Sequence, residues 1–443
     1  MKLYKLFVQH PAVCTDSRNV IKNSIFFALK GDHFDGNHFA LQALEQGAAY
    51  AVVDDPALPS HPQLILTGNT LKALQDLACT HREKLKIPIL AITGTNGKTT
   101  TKELAAQVLS TKYKVSATCG NLNNHIGVPL TLLRMNRETQ IGIVEMGANH
   151  PGEIAQLCRM ALPNYGLITN VGKAHLQGFG SLEGVRKAKG ELCDYLAKNR
   201  GVIFYNIDDP LLRDMIKAHH CEQFIPYGVS KDRVTMLPTD ETHPFLRLAI
   251  KDFPEVNTHL VGNYNADNVL AALAIGHTFG VPPHEAVTAI NNYTPSNNRS
   301  QLLQTARHNV IIDAYNANPS SMAAAINNFA TLHYPNKCVI LGDMLELGAD
   351  SAAEHAHVIS LLKQKPFTAV FLVGEHFMQA NAGHTFQSFA NVETLKKHLR
   401  QHPLAPQTAI LLKASHGVRL EELIAELNGL RTGGCANVTN SLI

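Results

Sequence analysis

No stretch of the 443-residue chain approaches the roughly 18 consecutive apolar positions of a membrane span. The opening, MKLYKLFVQHPAVC, holds too short an apolar segment for a secretion signal, so a soluble cytoplasmic protein with no membrane insertion is expected. Its eight cysteines never form C-x-x-C. That spacing excludes a zinc ribbon and argues for free thiols in a reducing compartment over a disulfide framework. Net charge is only +3, no Lys/Arg run exceeds a few residues, and aromatics are not interleaved with basic residues. Nucleic acid is therefore not an expected partner. G-x-G-x-x-G is absent, which argues against a dinucleotide cofactor. Hydrophobic content of 45% and charged content of 17% are those of a globular chain. The length allows two to four domains with ample core.

The most informative segment is PILAITGTNGKTTTKELAAQVLS, residues 88–110. Ile87 to Ile92 is apolar, suited to a strand buried on both faces. Leu104, Ala105, Val108 and Leu109 then recur with the period of an amphipathic helix. Between them, Thr93-Gly94-Thr95-Asn96-Gly97-Lys98-Thr99-Thr100 supplies what a phosphate-binding turn requires. Gly94 and Gly97 let backbone N–H groups approach, and the helix N-terminus adds partial positive charge. Lys98 can reach the β/γ-phosphates, and the Thr99 hydroxyl can ligate Mg²⁺. The strict G-x-x-x-x-G-K-[ST] pattern fails at one place, where Ile92 stands for the first glycine. The context still predicts a nucleoside triphosphate site.

Elsewhere the chain reads as α/β in three domains. Residues 1–85 hold strands at 25–29 and 49–53, helices at 39–46 and about 70–84, and polar loops at 16–18 and 31–38. Residues 86–295 alternate strands (87–93, 141–146, 165–171, 201–206) with helices, as a mostly parallel sheet does. Polar residues collect at the carboxyl ends of these strands, where ligands bind such sheets: Glu145, Asn170 to His175, and Asn206 to Asp209. A helix begins in 262–276, with Asn265 and Asn268 on its polar side. Residues 296–443 repeat the alternation as a small doubly wound domain, with strands at 310–312, 339–341, 369–373 and 409–412. The tail after Arg431 is expected to fray.

Several ordered segments, read together, resemble the Mur ligase family of ATP-dependent amide-bond-forming enzymes. They are TGTNGKTT at 93–100, NLNNHIGVPLTLL at 121–133, EMGANHPGEI at 145–154 and NVGKAHLQGFGSLEGVRKAKGEL at 170–192. NYNADNVLAALA at 263–274, IDAYNANPSSM at 312–322, LGDMLELG at 341–348 and LLKASHGVRLEEL at 411–423 continue the series. The resemblance covers nearly the whole chain. It implies an N-terminal uridine-nucleotide-binding α/β domain, a central P-loop ATPase domain and a C-terminal Rossmann-like domain. TDSR at 15–18 and FFALKGDHFDGNHF at 26–39 look like the uridine-nucleotide part, with Ser17 and Arg18 as substrate contacts.

The implied reaction joins D-alanyl-D-alanine to UDP-MurNAc-tripeptide through an acyl phosphate, using ATP and two Mg²⁺ ions, in a protein acting as a monomer. In that reading Lys98 holds the γ-phosphate, Thr99 and Glu145 hold the first Mg²⁺, and His175 holds the second. Lys189 matches a lysine that CO₂ carbamylates, turning a cation that would repel Mg²⁺ into an anionic ligand. Asn124 and Asn268 stand beside adenine. Arg299 and Asp313 reach phosphates and ribose from the third domain, with Tyr315, Asn316 and Asn318 in the same loop. Asp343, Glu346 and Lys413 line the dipeptide side. Ser24 and Asn37 stand where the family commonly has glycine, and His416 stands where it usually has an arginine, whose permanent guanidinium histidine cannot supply. Three alternatives stay open: a sister ligase that adds the third, diamino residue, a nucleotide-switched binding protein without catalysis, and a small-molecule kinase that would release a phosphorylated product.

Overall fold

Three mainly parallel sheets succeed one another along the chain in this computed structural model, which describes residues 2–239 and 243–428. The tail expected to fray lies outside the described residues, as does Cys435. Among the described residues no helix is long and apolar enough to cross a membrane.

The first sheet orders its four strands Val13–Cys14, Ile25–Phe27, Tyr50–Val53, Leu64–Leu66, all parallel. Asn37 ties it together. Its amide donates to Asp35 at 2.7 Å and Asp54 at 2.8 Å, and its carbonyl accepts the Asp54 N–H at 3.0 Å. A glycine there could make none of these bonds, so the departure at this position has a structural account. Ser24 is fully buried with its hydroxyl unpaired, and nothing in the structure explains it.

The central sheet has six parallel strands in the order Gln223–Tyr227, Val202–Asn206, Tyr165–Ile168, Ile89–Thr93, Ile141–Glu145, Val115–Ala117. Ile89–Thr93 is wholly buried, as its unbroken apolar run requires. The chain leaves it toward one edge and later returns to its other side, so the order reverses there. A crevice opens at the carboxyl end of such a strand. The edge strand Gln223–Tyr227 contains Pro226, tolerable because it pairs on one side only. A small antiparallel sheet of Val234–Met236, Arg247–Ile250 and Val256–Asn257 interrupts the alternation and was not foreseen.

The third sheet runs Gln301–Gln304, Asn309–Asp313, Ala409–Lys413, Lys337–Gly342, Ala369–Val373, Gln387–Phe389, with only the first strand antiparallel. Its carboxyl ends deliver Asp313 and Lys413 toward the central crevice. The α/β reading of the sequence therefore holds across all three sheets.

Candidate active site

Between the central and third sheets lies a cleft of about 530 Å³, within the range of small-molecule sites. The turn 94–97 forms its floor. Gly94 and Gly97 have φ of +140° and +80°. A Cβ at Gly94 would strike the Thr169 hydroxyl, and one at Gly97 the Asn268 amide. Both glycines are thus required by conformation and by crowding. The turn is braced from the next strand: the Thr169 hydroxyl and the Asn170 amide donate to the Asn96 carbonyl at 2.6 and 3.0 Å, and the Asn170 side chain accepts the Asn96 N–H at 3.0 Å.

Lys98 opens the helix Lys98–Ser110 and folds back, its ammonium donating to the carbonyls of Gly94 at 2.7 Å and Thr95 at 2.9 Å. Burial lowers its pKa to about 8, with the Glu145 charge opposing that shift. The Thr99 hydroxyl donates to Glu145 Oε1 at 3.2 Å, and the Asn123 amide donates to the same oxygen at 2.9 Å. Glu145 Oε2 is buried without a hydrogen-bond partner. The ammonium of buried Lys102 lies 3.7 Å from it and donates to the Gly120 carbonyl at 3.3 Å. Sequence reasoning missed Lys102, whose position gives no signal beyond lying one turn after Lys98.

Lys189, on the helix Leu182–Lys198, is 2% exposed, with the Phe179 ring centroid 5.8 Å from its ammonium. Burial first, then repulsion from Lys98, brings its pKa down to about 7. At neutral pH a large share of the side chain is therefore free amine. His175, at φ +51°, turns its Nδ1 onto the Glu346 carboxylate of the third sheet's loop. That contact holds Glu346 below the usual carboxylate range.

The third-sheet wall adds Arg299, whose guanidinium carbon stacks 3.9 Å from the Tyr315 ring centroid and whose Nε is buried without a partner. Tyr315 also stacks on His416 at 5.7 Å. Asp313 and Lys413 pair at 2.7 Å, and the Asn318 amide crosses the cleft to Asn96 at 2.7 Å.

Several expected residues converge here and others do not. Residues 95–100, Asn124, Glu145, His175, Asn268, Arg299, Asp313 and Lys413 all line the cleft. Asn124 uses its carbonyl to accept the N–H groups of Ile126 and Gly127. Asn268 is buried, not on a solvated face: it accepts from the Thr101 hydroxyl and donates to Asn265, and so braces the turn. The reading of Asp343 requires correction. It is 6% exposed, and its two carboxylate oxygens accept the N–H groups of His376 and Phe377 at 3.0 and 2.9 Å, capping the next helix. It does not line the cleft. Ser17, Arg18, Lys189 and Glu346 are also absent from its lining: Arg18 is exposed and paired to Asp16, Lys189 is buried against Phe179, and Glu346 meets the cleft through His175.

The donor set fits one hard cation. Glu145 leaves a buried carboxylate oxygen without a hydrogen bond beside the Thr99 hydroxyl, with the Lys102 ammonium 3.7 Å away. Among the described residues no three His, Cys, Asp or Glu side chains gather as a closed metal cage. Mg²⁺ needs none, since it takes one or two protein oxygens and completes its shell with phosphates and water.

Comparison with known proteins agrees with this arrangement. The sequence matches three family descriptions: "Mur ligase family, catalytic domain" over 11–83, "Mur ligase middle domain" over 92–276, and "Mur ligase, glutamate ligase domain" over 298–416. It is 36% identical to the UDP-N-acetylmuramoyl-tripeptide–D-alanyl-D-alanine ligase of Bacillus subtilis, over 96% of this chain and 94% of that one. The enzyme of the same name from Escherichia coli is 34% identical, over 94% and 93%. A crystal structure of MurF from Acinetobacter baumannii superposes with a TM-score of 0.83 at 29% identity, over 94% and 93% of the chains. Two sheets closing on a braced phosphate turn, with family matches spread over most of the length, lead to one conclusion: the chain belongs to the Mur ligase family.

Proposed function

We propose that this protein is an ATP-dependent ligase that joins D-alanyl-D-alanine to UDP-MurNAc-tripeptide, giving UDP-MurNAc-pentapeptide, ADP and phosphate. The observation that carries the reading is the cleft itself. One wall presents the phosphate turn with Lys98 and the half-paired carboxylate of Glu145, and the other presents Arg299 and Asp313. The names of relatives at 36% and 34% identity supply the substrates.

A carboxylate does not condense with an amine in water unless it is activated. In the proposed reaction the tripeptide's terminal carboxylate takes the γ-phosphoryl group of ATP, forming an acyl phosphate and ADP. The dipeptide's amine then attacks the acyl carbon, and the tetrahedral intermediate expels phosphate. Phosphoryl transfer of this kind needs positioning and neutralised charge more than covalent help from the protein. Lys98 would leave the carbonyls it now satisfies and hold the γ-phosphate. Glu145 and Thr99 would hold one Mg²⁺, which shields the phosphate charge when bound. His175 would serve a second. Lys189 is suited to react with CO₂, because the free amine is the attacking form: an N–C bond forms, one proton leaves, and a carbamate oxygen becomes available as a metal ligand. Arg299 and Asp313 would close on the nucleotide from across the cleft, excluding water from the acyl phosphate.

In this reading residues 1–85, with Ser17 and Arg18, take the uridine-nucleotide end of the substrate. Residues 86–295 run the ATP chemistry, with Asn124 and Asn268 beside the adenine. Residues 296–443 close on the nucleotide and receive the dipeptide near Glu346 and Lys413. We place the reaction in the cytoplasm, where ATP is available, and in a monomer, because one chain supplies both walls of the cleft.

The test is phosphate release from ATP with UDP-MurNAc-tripeptide and either D-alanyl-D-alanine, a diamino acid or no acceptor. Turnover only with the dipeptide, with the mass of the pentapeptide product, is the expected result. Turnover of a shorter precursor with the diamino acid would move the chain to the sister ligase. Release independent of any acceptor would sink the ligase reading.

A further inference from the structure

The segment 293–300 leads from the helix Pro283–Asn292 to the strand Gln301–Gln304, so it joins the central and third sheets. It also carries Arg299 into the cleft. Asn298 and Ser300 on either side of Arg299 adopt φ of +56° and +49°, conformations that non-glycine residues hold only when their surroundings impose them. Part of what imposes them comes from the third sheet and the 261–265 turn. The Asn298 carbonyl accepts the Ala314 N–H at 3.1 Å, and the Ser300 hydroxyl accepts from the Asn265 amide at 3.1 Å.

A further anchor is Glu103, in the second turn of the phosphate-loop helix. Its carboxylate accepts the Tyr293 hydroxyl at 2.5 Å and the Asn297 amide at 3.1 and 3.0 Å to its two oxygens. Lys102 stands 3.8 Å away as its counter-charge. Burial and the Glu103 charge both push the Tyr293 hydroxyl far above its ordinary pKa, so it remains a donor. Three hydrogen bonds to one ionised carboxylate are the strong kind. They join residues about 190 positions apart in sequence.

We propose that Glu103 is a positioning residue: through Tyr293 and Asn297 it fixes the linker to the phosphate-loop helix and so sets where Arg299 stands over the nucleotide. This goes beyond the proposed function but rests on its placement of Arg299 at the nucleotide. A shift of the helix on phosphate binding would pass directly to the segment about which the third sheet closes.

The test exchanges the two partners. Glu103→Gln removes the charge and puts an amide donor where one of the two acceptor oxygens facing the Asn297 amide stood, so the two-oxygen contact with Asn297 is lost, and Asn297→Asp places two carboxylates face to face. The double variant restores an amide–carboxylate pair with the roles reversed. In the free protein, each single variant is expected to raise backbone hydrogen exchange across 293–301 by about tenfold, and the double variant to bring it back. In turnover, each single variant is expected to raise the KM for ATP about tenfold with a smaller change in kcat, again recovered in the double. Unchanged exchange in both single variants would overturn the anchor. Raised exchange with an unchanged KM would overturn its link to the nucleotide. A double variant no better than the worse single would overturn the pairing. The exchange readout needs no substrate, so it separates failure of this inference from failure of the ligase reading.

Discussion

The two walls of the cleft are built on different principles. The central wall is braced from within: the Asn96 carbonyl, the Glu145 Oε1 oxygen and the Asn268 amide each have partners one strand or one helix away. The third-sheet wall reaches the central one through a linker and a few long-range contacts. Among them are His175 with Glu346, Asn318 with Asn96, Lys173 with Glu354 at 2.6 Å, and the Asn263 N–H donating to the Asn328 side chain at 3.1 Å. A braced wall holds chemical groups to within fractions of an ångström, whereas a wall held by a few partly exposed pairs can swing. The first suits charge neutralisation at a transferring phosphoryl group, and the second suits closure and release.

The difference is broken most severely at Lys98. Its ammonium satisfies only the carbonyls of its own turn, so Lys98→Met should leave the fold in place while removing the cation proposed to hold the γ-phosphate. A fall in kcat of about a thousand-fold is expected, in line with the loss of a preorganised charge at a developing anion. Thermal unfolding should be unchanged or slightly higher, since burial already disfavours the charge. An activity loss below about tenfold would mean the braced wall does not hold the phosphate.

Lys189 comes next. Its pKa of about 7 in the folded chain lies below the ordinary lysine value. The sign follows directly: the ammonium is destabilised, the free amine appears as pH rises through about 7, and carbamate formation rises with it. Folding stability should also rise with pH from about 7 to the ordinary lysine value, because the unfolded chain binds the extra proton across that window. With ¹³C-bicarbonate the wild type should give a carbamate resonance that grows between pH 6 and 8 and is missing in Lys189→Ala, whose activity should drop about a hundred-fold. Absence of the resonance at pH 8 would leave Lys189 as a buried amine only.

Across the cleft the effects shrink. Glu346→Gln weakens the contact with His175, where Glu346 is half exposed, and exposed ion pairs contribute about 1 kcal/mol or less. The expected outcome is a rise of up to about fivefold in KM for ATP with kcat nearly unchanged. X-ray scattering should also show a less compact closed state. Acidification should act the same way as Glu346 takes up its proton, below the usual carboxylate range. A large kcat effect would contradict the picture of a loosely held wall.

How much of this could be read beforehand follows from sequence distance. The phosphate turn was legible because strand, glycines, Lys98 and helix lie within a short span and each imposes a local pattern. Glu145 was legible because it follows an apolar strand. Lys102 and Glu103 were not, because their partners at Gly120, Tyr293 and Asn297 meet them only in the folded chain. The short strands Val115–Ala117 and Gln387–Phe389 were missed because three residues cannot display alternation. The bracing made by Asn265 and Asn268 was not legible for a related reason: their partners Ser300 and Thr101 lie far away in sequence and meet them only in the folded chain.

Asp343 shows the same limit from the other side, and its prediction is the finest test of the two-wall comparison. A polar residue at the carboxyl end of a strand can face the ligand crevice or turn inward to cap the following helix, and the sequence pattern is identical for both. Here the carboxylate takes two N–H groups at the start of Glu375–Ala380, and Gly374 beneath it, at φ +118°, leaves no room for a Cβ. Asp343→Ala should therefore cost about 1–2 kcal/mol of stability, as the loss of an N-cap does, read as a lower urea midpoint. The kinetic constants for ATP and dipeptide should stay as they are. Asp343→Ser, which keeps a capping oxygen, should recover part of the loss. If Asp343→Ala instead raises the KM for the dipeptide without lowering stability, the carboxylate belongs to the cleft after all. The swinging wall would then carry a substrate contact that its closed geometry conceals.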